Sequence, residues 1–141
     1  MAKEKQKYVI GRLDVIDLPD LGVENIHAKI DTGAYRSSLH CKKVHEEEGV
    51  LYFTLHTDTG YKEYATKDWL QKVVKSSNGK AQKRYVIKTR MRIFGKNFKA
   101  SISLTDRSEM KNPLLIGRKI LTNKFIVDVS QKNLSYDQKK K

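Results

Sequence analysis

Apolar and polar residues alternate most regularly between Tyr85 and Leu104. Tyr85, Ile87, Thr89, Met91 and Ile93 take turns with Val86, Lys88, Arg90 and Arg92. After Gly95-Lys96 the rhythm resumes, with Phe98, Ala100, Ile102 and Leu104 set against Lys99, Ser101 and Ser103. A period of two sends one set to a core and the other to water, and Gly at the first loop position predicts a type II′ hairpin. Shorter runs predict strands over 8–15, 26–30, 50–57, 61–65, 114–116 and 125–129. LPDLG, from Leu18 to Gly22, and Asp58-Thr59-Gly60 have turn chemistry, and SSNGK at 76–80 has loop chemistry. Helical turns are expected over 67–75, where Trp69, Leu70, Val73 and Val74 share one side, and over 118–122. No repeat and no linker interrupts the pattern, which is that of one mostly-β domain.

Composition adds limits. The 141 residues, 38% of them hydrophobic, suffice for one core. The longest apolar run, Val50-Leu51-Tyr52-Phe53, is far too short to span a membrane. MAKEKQKY at the start has no apolar stretch behind it and does not read as a secretory signal. The single cysteine, Cys41, allows no internal disulfide and suits a reducing cytoplasm. The domain is expected over 8–130, between basic solvated tails at 1–7 and 131–141. A net charge of +13 adds a field that attracts anions, whether nucleic acid, acidic protein or anionic lipid.

The chemistry is concentrated where the strand over 26–30 stops at a carboxylate, in Asp31-Thr32-Gly33-Ala34, and where Leu115-Ile116-Gly117-Arg118 closes a later apolar run. In this order the two segments resemble the signatures of retropepsin-like aspartic proteases. The stretches VIGRLDVIDLPDLGVENIHAKIDTGAYRSSLH, RYVIKTRMRI, SLTDRSEMKNPLLIGRKIL and KFIVDV narrow the resemblance to one bacterial branch. Its members are named ATP-dependent zinc proteases or retropepsin-like aspartic endopeptidases, and some are associated with ATP-grasp glutamate ligases that modify ribosomal protein.

The resemblance implies an all-β closed acid-protease barrel with one short helix. It implies peptide hydrolysis with Asp31 as the catalytic acid and base, Thr32, Gly33 and Ala34 completing its loop, and Leu115, Ile116, Gly117 and Arg118 supporting it. Two adjacent carboxylates share a proton and so serve as base and acid together. One chain supplies one Asp31, so the mechanism calls for a two-fold homodimer, and it needs no cofactor. In viral members an acid in the loop pairs with the later Arg. Here Tyr35 and Arg36 follow Ala34, which leaves Asp106, Asp128 or substrate to engage Arg118. Flap candidates are the Asp58–Gly60 hairpin and the 76–80 loop.

Other residues compete for the chemistry. The second Asp-Thr-Gly, at Asp58, lies between two predicted strands and reads as a hairpin turn. His40, Cys41 and His45 cluster in sequence, but no second cluster completes a tetrahedral zinc site. No Gly-rich loop ends in Gly-Lys-Ser/Thr, so no ATP site is expected. Arg36, Arg84, Arg90, Arg107 and Arg118 suit carboxylates, which points to an acidic, glutamyl-extended peptide or protein as substrate. A rival reading is a nucleic-acid- or ribosome-binding module without hydrolytic activity. It would use Lys83, Arg84, Lys88, Arg90, Arg92, Lys96 and Lys99, with Tyr85, Phe94 and Phe98 for stacking.

Overall fold

A computed structural model describes residues 6–75, 78–106 and 111–141. The strands are β1 (Tyr8–Ile10), β2 (Leu13–Leu18), β3 (Val23–Ile30), β4 (Ser37–His40), β5 (Lys42–Glu47) and β6 (Val50–Thr57). They continue with β7 (Gly60–Thr66), β8 (Trp69–Lys75), β9 (Ala81–Ile93), β10 (Lys96–Thr105), β11 (Leu114–Ile116) and β12 (Phe125–Val127). Two short helices, α1 (Arg118–Leu121) and α2 (Leu134–Lys139), and one turn of 3-10 helix over Pro19–Leu21 complete the described elements.

Six strands in the order β10-β4-β11-β3-β2-β9 close on themselves, because β9 and β10 also pair with each other. The result is the expected closed β-barrel, here with mixed parallel and antiparallel pairing and a second helix beyond the one foreseen. Its interior is filled by the alternating apolar positions, including Ile26, Ala28, Ile87, Met91, Ile93, Ile102, Leu114 and Ile116, all nearly inaccessible to water. No helix among the described residues is long and apolar enough to cross a membrane.

Local chemistry revises several expectations. The strand predicted over 8–15 breaks at Gly11, where a Cβ would lie 2.2 Å from the Gln131 carbonyl oxygen. β1 then leaves the barrel to pair in parallel with β12, Tyr8 opposite Phe125. The loop joining β9 and β10 is Phe94-Gly95, not Gly95-Lys96. Ile93 pairs with Lys96, and both loop residues have positive φ (53° and 71°), the type I′ geometry that matches strand twist.

The segment 67–75 is not helical. β8 pairs with β9 over seven residues, from Trp69–Ile87 to Lys75–Ala81, which satisfies the backbone that a helix would have bonded internally. Trp69 packs edge-on to Tyr85, and Val73 is 65% exposed. The stretch expected as a C-terminal tail contains α2, which docks on β2. Buried Asp14 accepts hydrogen bonds from the Ser135 and Tyr136 N–H groups, and Lys139 pairs with Asp17 at 2.9 Å. β5, β6 and β7 form a separate three-stranded sheet.

Candidate active site

The site is built where β11 enters the barrel between β3 and β4. It runs parallel to β3, with Ile116 opposite Ile30, and antiparallel to β4, with Leu114 opposite Leu39. The ladder continues one residue past β3, where the Asp31 N–H donates to the Ile116 carbonyl at 2.9 Å. Asp31 therefore leaves the barrel wall on a backbone fixed by its neighbour. Its side chain is half-buried, and Oδ1 accepts the Gly33 N–H at 3.0 Å. Its other oxygen has no protein partner among the described residues. The Ala34 N–H closes the turn on the Asp31 carbonyl at 3.3 Å.

The second motif grips the first. Arg118 and Lys119 donate their N–H groups to the Ala34 and Tyr35 carbonyls at 2.8 and 2.9 Å. The Gly117 N–H donates to the Ser37 hydroxyl at 3.1 Å. A Cβ on Gly117 would sit 2.7 Å from the carbonyls of Tyr35 and Arg36, so this crossing has no room for a side chain. Leu114 and Ile116 point into the core, whereas Leu115 is only half-buried.

Arg118 holds a backbone carbonyl where an acid partner within the chain was expected. Neither Asp106 nor Asp128 engages it. Its guanidinium donates from Nη1 to the Thr32 carbonyl at 3.0 Å and lies over the Tyr35 ring, 5.9 Å from the centroid. Asp128 instead accepts from Ser130 and Gln131, which hold its carboxyl below the ordinary range. Ser37 and the ring of Tyr35 take part in a way that the two motifs do not announce. The signal available was a hydroxyl and a ring immediately after a glycine-tight loop.

The remaining candidates do not converge. Arg36 is exposed beside the loop, and Arg84 lies on the outer part of β9, opposite Lys72. Arg90 is occupied by Asp20, to which Nε donates at 2.9 Å, and the pair holds the Asp20 carboxyl below its usual value. Arg107 lies outside the described residues. Asp58 sits in the two-residue loop between β6 and β7 and contacts His27 at 3.1 Å, a turn as expected.

His40 and Cys41 are buried while His45 is exposed, stacked on Tyr52. Among the described residues no group of three His, Cys, Asp or Glu side chains converges on one point. Burial pushes the Cys41 thiol up to about 12, which leaves it unreactive at neutral pH. The aromatic rings of the rival reading are packed: Tyr85 against Trp69, Phe94 stacked on Tyr8 at 5.6 Å, and Phe98 against Phe125.

The chain is 33% identical over 133 residues to a "Probable alpha-L-glutamate ligase" of Shewanella pealeana, covering 89% of this chain and 29% of that protein. A protein of the same name from Desulfotalea psychrophila is 27% identical over 136 residues, 91% of this chain and 29% of its own length. The chain thus spans less than a third of the length of these curated relatives. A crystal structure of Lpg0085 (DUF785), a protein of unknown function from Legionella pneumophila, superposes with a TM-score of 0.71. It is 26% identical, over 92% of this chain and 99% of that one. The family model described as RimB-like, retropepsin-like aspartic endopeptidase RimB, matches residues 9–138, and with the two interlocked motifs inside that span the chain belongs to this family.

Proposed function

We propose that the protein is an aspartic peptidase that works as a two-fold homodimer, with Asp31 of each copy forming a dyad. The observation that carries this reading is the half-buried Asp31 carboxylate on a loop clamped by Gly33, Ile116 and Arg118. Thr32, Gly33, Tyr35 and Arg36 are exposed around it and available to a second copy. Two such carboxylates brought together share one proton. The ionised member takes a proton from a water molecule as that water attacks the peptide carbonyl. The protonated member hydrogen-bonds the carbonyl oxygen, and the amine leaves with a proton from the dyad.

The hairpin of β8 and β9 supplies a flap. Residues 81–85 of β9 pair only with β8, so this arm extends past the barrel. Substrate in this reading is an extended acidic peptide, lying as an added strand with its backbone bonded to the arm. Arg36 beside the loop and Arg84 on the arm are exposed guanidiniums available to its carboxylates. The similarity to ligases that by name handle glutamate supports a glutamyl-extended substrate.

Incubation with a glutamyl-extended peptide and a neutral peptide of equal length, with sedimentation velocity at matched concentrations, tests the reading. Expected are a dimer, cleavage favouring the acidic peptide, and loss of cleavage in Asp31→Asn. Activity from a strict monomer would overturn the dyad. Undiminished activity in Asp31→Asn would overturn the assignment of Asp31, and equal cleavage of both peptides would overturn the acidic preference.

A further inference from the structure

The sheet of β5, β6 and β7 has a closed face and an open one. Leu51, Phe53 and Leu55 on its middle strand are 0% exposed and join the core. The alternate positions, Tyr52, Thr54 and His56, therefore make the outer face, together with their cross-strand neighbours. In register, Tyr52 lies between His45 and Ala65, Thr54 between Lys42 and Glu63, and His56 beside Tyr61. None of these residues belongs to the Asp31 loop or to the motif that grips it.

Four of them carry rings, stacked in two pairs. His45 lies on Tyr52 with centroids 5.2 Å apart and planes 15° from parallel, and His56 lies on Tyr61 at 4.5 Å and 28°. The His45 Nδ1–H donates to the Lys43 carbonyl at 2.9 Å, which fixes that ring further. Tyr61 is 55% exposed, and both histidines are exposed as well. Rings held in order yet left in water mark a binding surface. Each pair stacks across neighbouring strands and so forms a ridge. The ridges stand four residues apart on β6, about 13 Å, with Lys42, Thr54 and Glu63 as the floor of the trough between them.

The trough selects its occupant. Its width admits one extended chain but not an α-helix, whose diameter with side chains is about 10–12 Å. Its walls and floor are side chains, which offer no backbone ladder to a β-strand. A polyproline II segment needs no ladder, and its prolines have no N–H to satisfy. Its carbonyls do need donors, and Lys42 and Thr54 supply them from the floor. The Lys42 Nζ already lies 5.8 Å from the centroid of the Tyr61 ring. Although the chain carries +13, Lys42 and Lys67 on this face are offset by Glu63 and Glu47, so the face does not concentrate a polyanion.

We propose that the outer face of β5–β7 docks a proline-rich segment of a partner protein in the polyproline II conformation. Its prolines pack against the Tyr52 and Tyr61 ridges, and its carbonyls accept hydrogen bonds from Lys42 and Thr54. The docking site does not depend on the peptidase reading.

A two-dimensional NMR titration of the whole chain with capped decaproline tests the proposal. Expected are saturable amide shifts at residues 45, 52, 54, 56 and 61, with residues 32 and 33 unmoved. Affinity should change less than about twofold between about 50 and 300 mM salt. Tyr52→Thr, which keeps a strand-forming residue, and Tyr61→Ser, at an exposed position, should each weaken binding about tenfold or more.

Absence of saturable shifts up to about 1 mM decaproline would overturn the proposal, as would shifts confined to other surfaces. Circular dichroism checks that each variant is folded, and unchanged affinity in folded Tyr61→Ser would remove the ridge from the site. Tighter binding of hexauridylate than of decaproline at the same residues would replace the proline-rich partner with a single-stranded nucleic acid.

Discussion

Gly117 donates its N–H to the hydroxyl of Ser37 at 3.1 Å, across 80 residues of sequence. This bond stitches the two motifs at their tightest point, where the Tyr35 and Arg36 carbonyls leave no space for a Cβ. Gly117→Ala is expected to cost about 2–3 kcal/mol, because backbone rather than a pliable side chain must yield. Ser37→Ala, which removes only the hydroxyl, is expected to cost about 1 kcal/mol. Urea unfolding of the two variants checks both the order and the gap.

Arg118 is expected to matter more for activity than for stability. Arg118→Met keeps much of the stem but loses the donation to the Thr32 carbonyl and the cationic contact with Tyr35. Stability should fall by no more than about 1 kcal/mol, since the guanidinium is exposed. Amide resonances of Thr32 and Gly33 should shift, and peptide cleavage should drop through kcat. A variant with unmoved loop resonances and full activity would show the tether to be idle.

The last helix is expected to be part of the folded unit. Asp14 is buried on β2 and accepts three backbone N–H groups, from Val15, Ser135 and Tyr136. Burial raises its pKa, and those donors partly offset the rise. Asp14→Ala leaves the donors of α2 unpaired and should lower stability by about 3 kcal/mol. Hydrogen exchange should show the amides of residues 135 and 136 losing protection.

Much of this architecture was legible in the chain. Period-two alternation located β3, β9, β10 and β11 because each buries one face in a single core, and the two loop motifs sit on those strands. β8 was missed because the spacing of Trp69, Leu70, Val73 and Val74 also fits a helix, and only its pairing with β9 decides the matter. α2 was missed because a lysine-rich segment has no apolar stripe. Its anchors, Asp14 and Asp17, lie more than a hundred residues away. The partner of Arg118 was invisible for a similar reason: it is a backbone carbonyl, which no side-chain pattern announces.

The Asp20–Arg90 pair should give a pH signature. Hydrogen bonds from Arg90 lead the causes that hold the Asp20 carboxyl below its ordinary 3.8. A depressed folded-state pKa gives stability that is present above 3.8 and lost as pH falls through the folded value. Asp20→Asn should therefore melt at a lower temperature than the parent near neutrality, with the gap closing in stronger acid. The raised pKa of Asp14 acts with the opposite sign, but it is common to both proteins and cancels in the comparison. A gap that persists unchanged below the ordinary carboxylate range would rule the ion pair out as its source.

Tyr8 stacks on Phe94, and the Phe94 N–H donates to the Ser135 hydroxyl, so the first strand and the last helix meet at one hairpin tip. A short bridge between these neighbouring ends, with new termini opened in the β8–β9 connection, would give a circular permutant that keeps the backbone ladder of the six barrel strands.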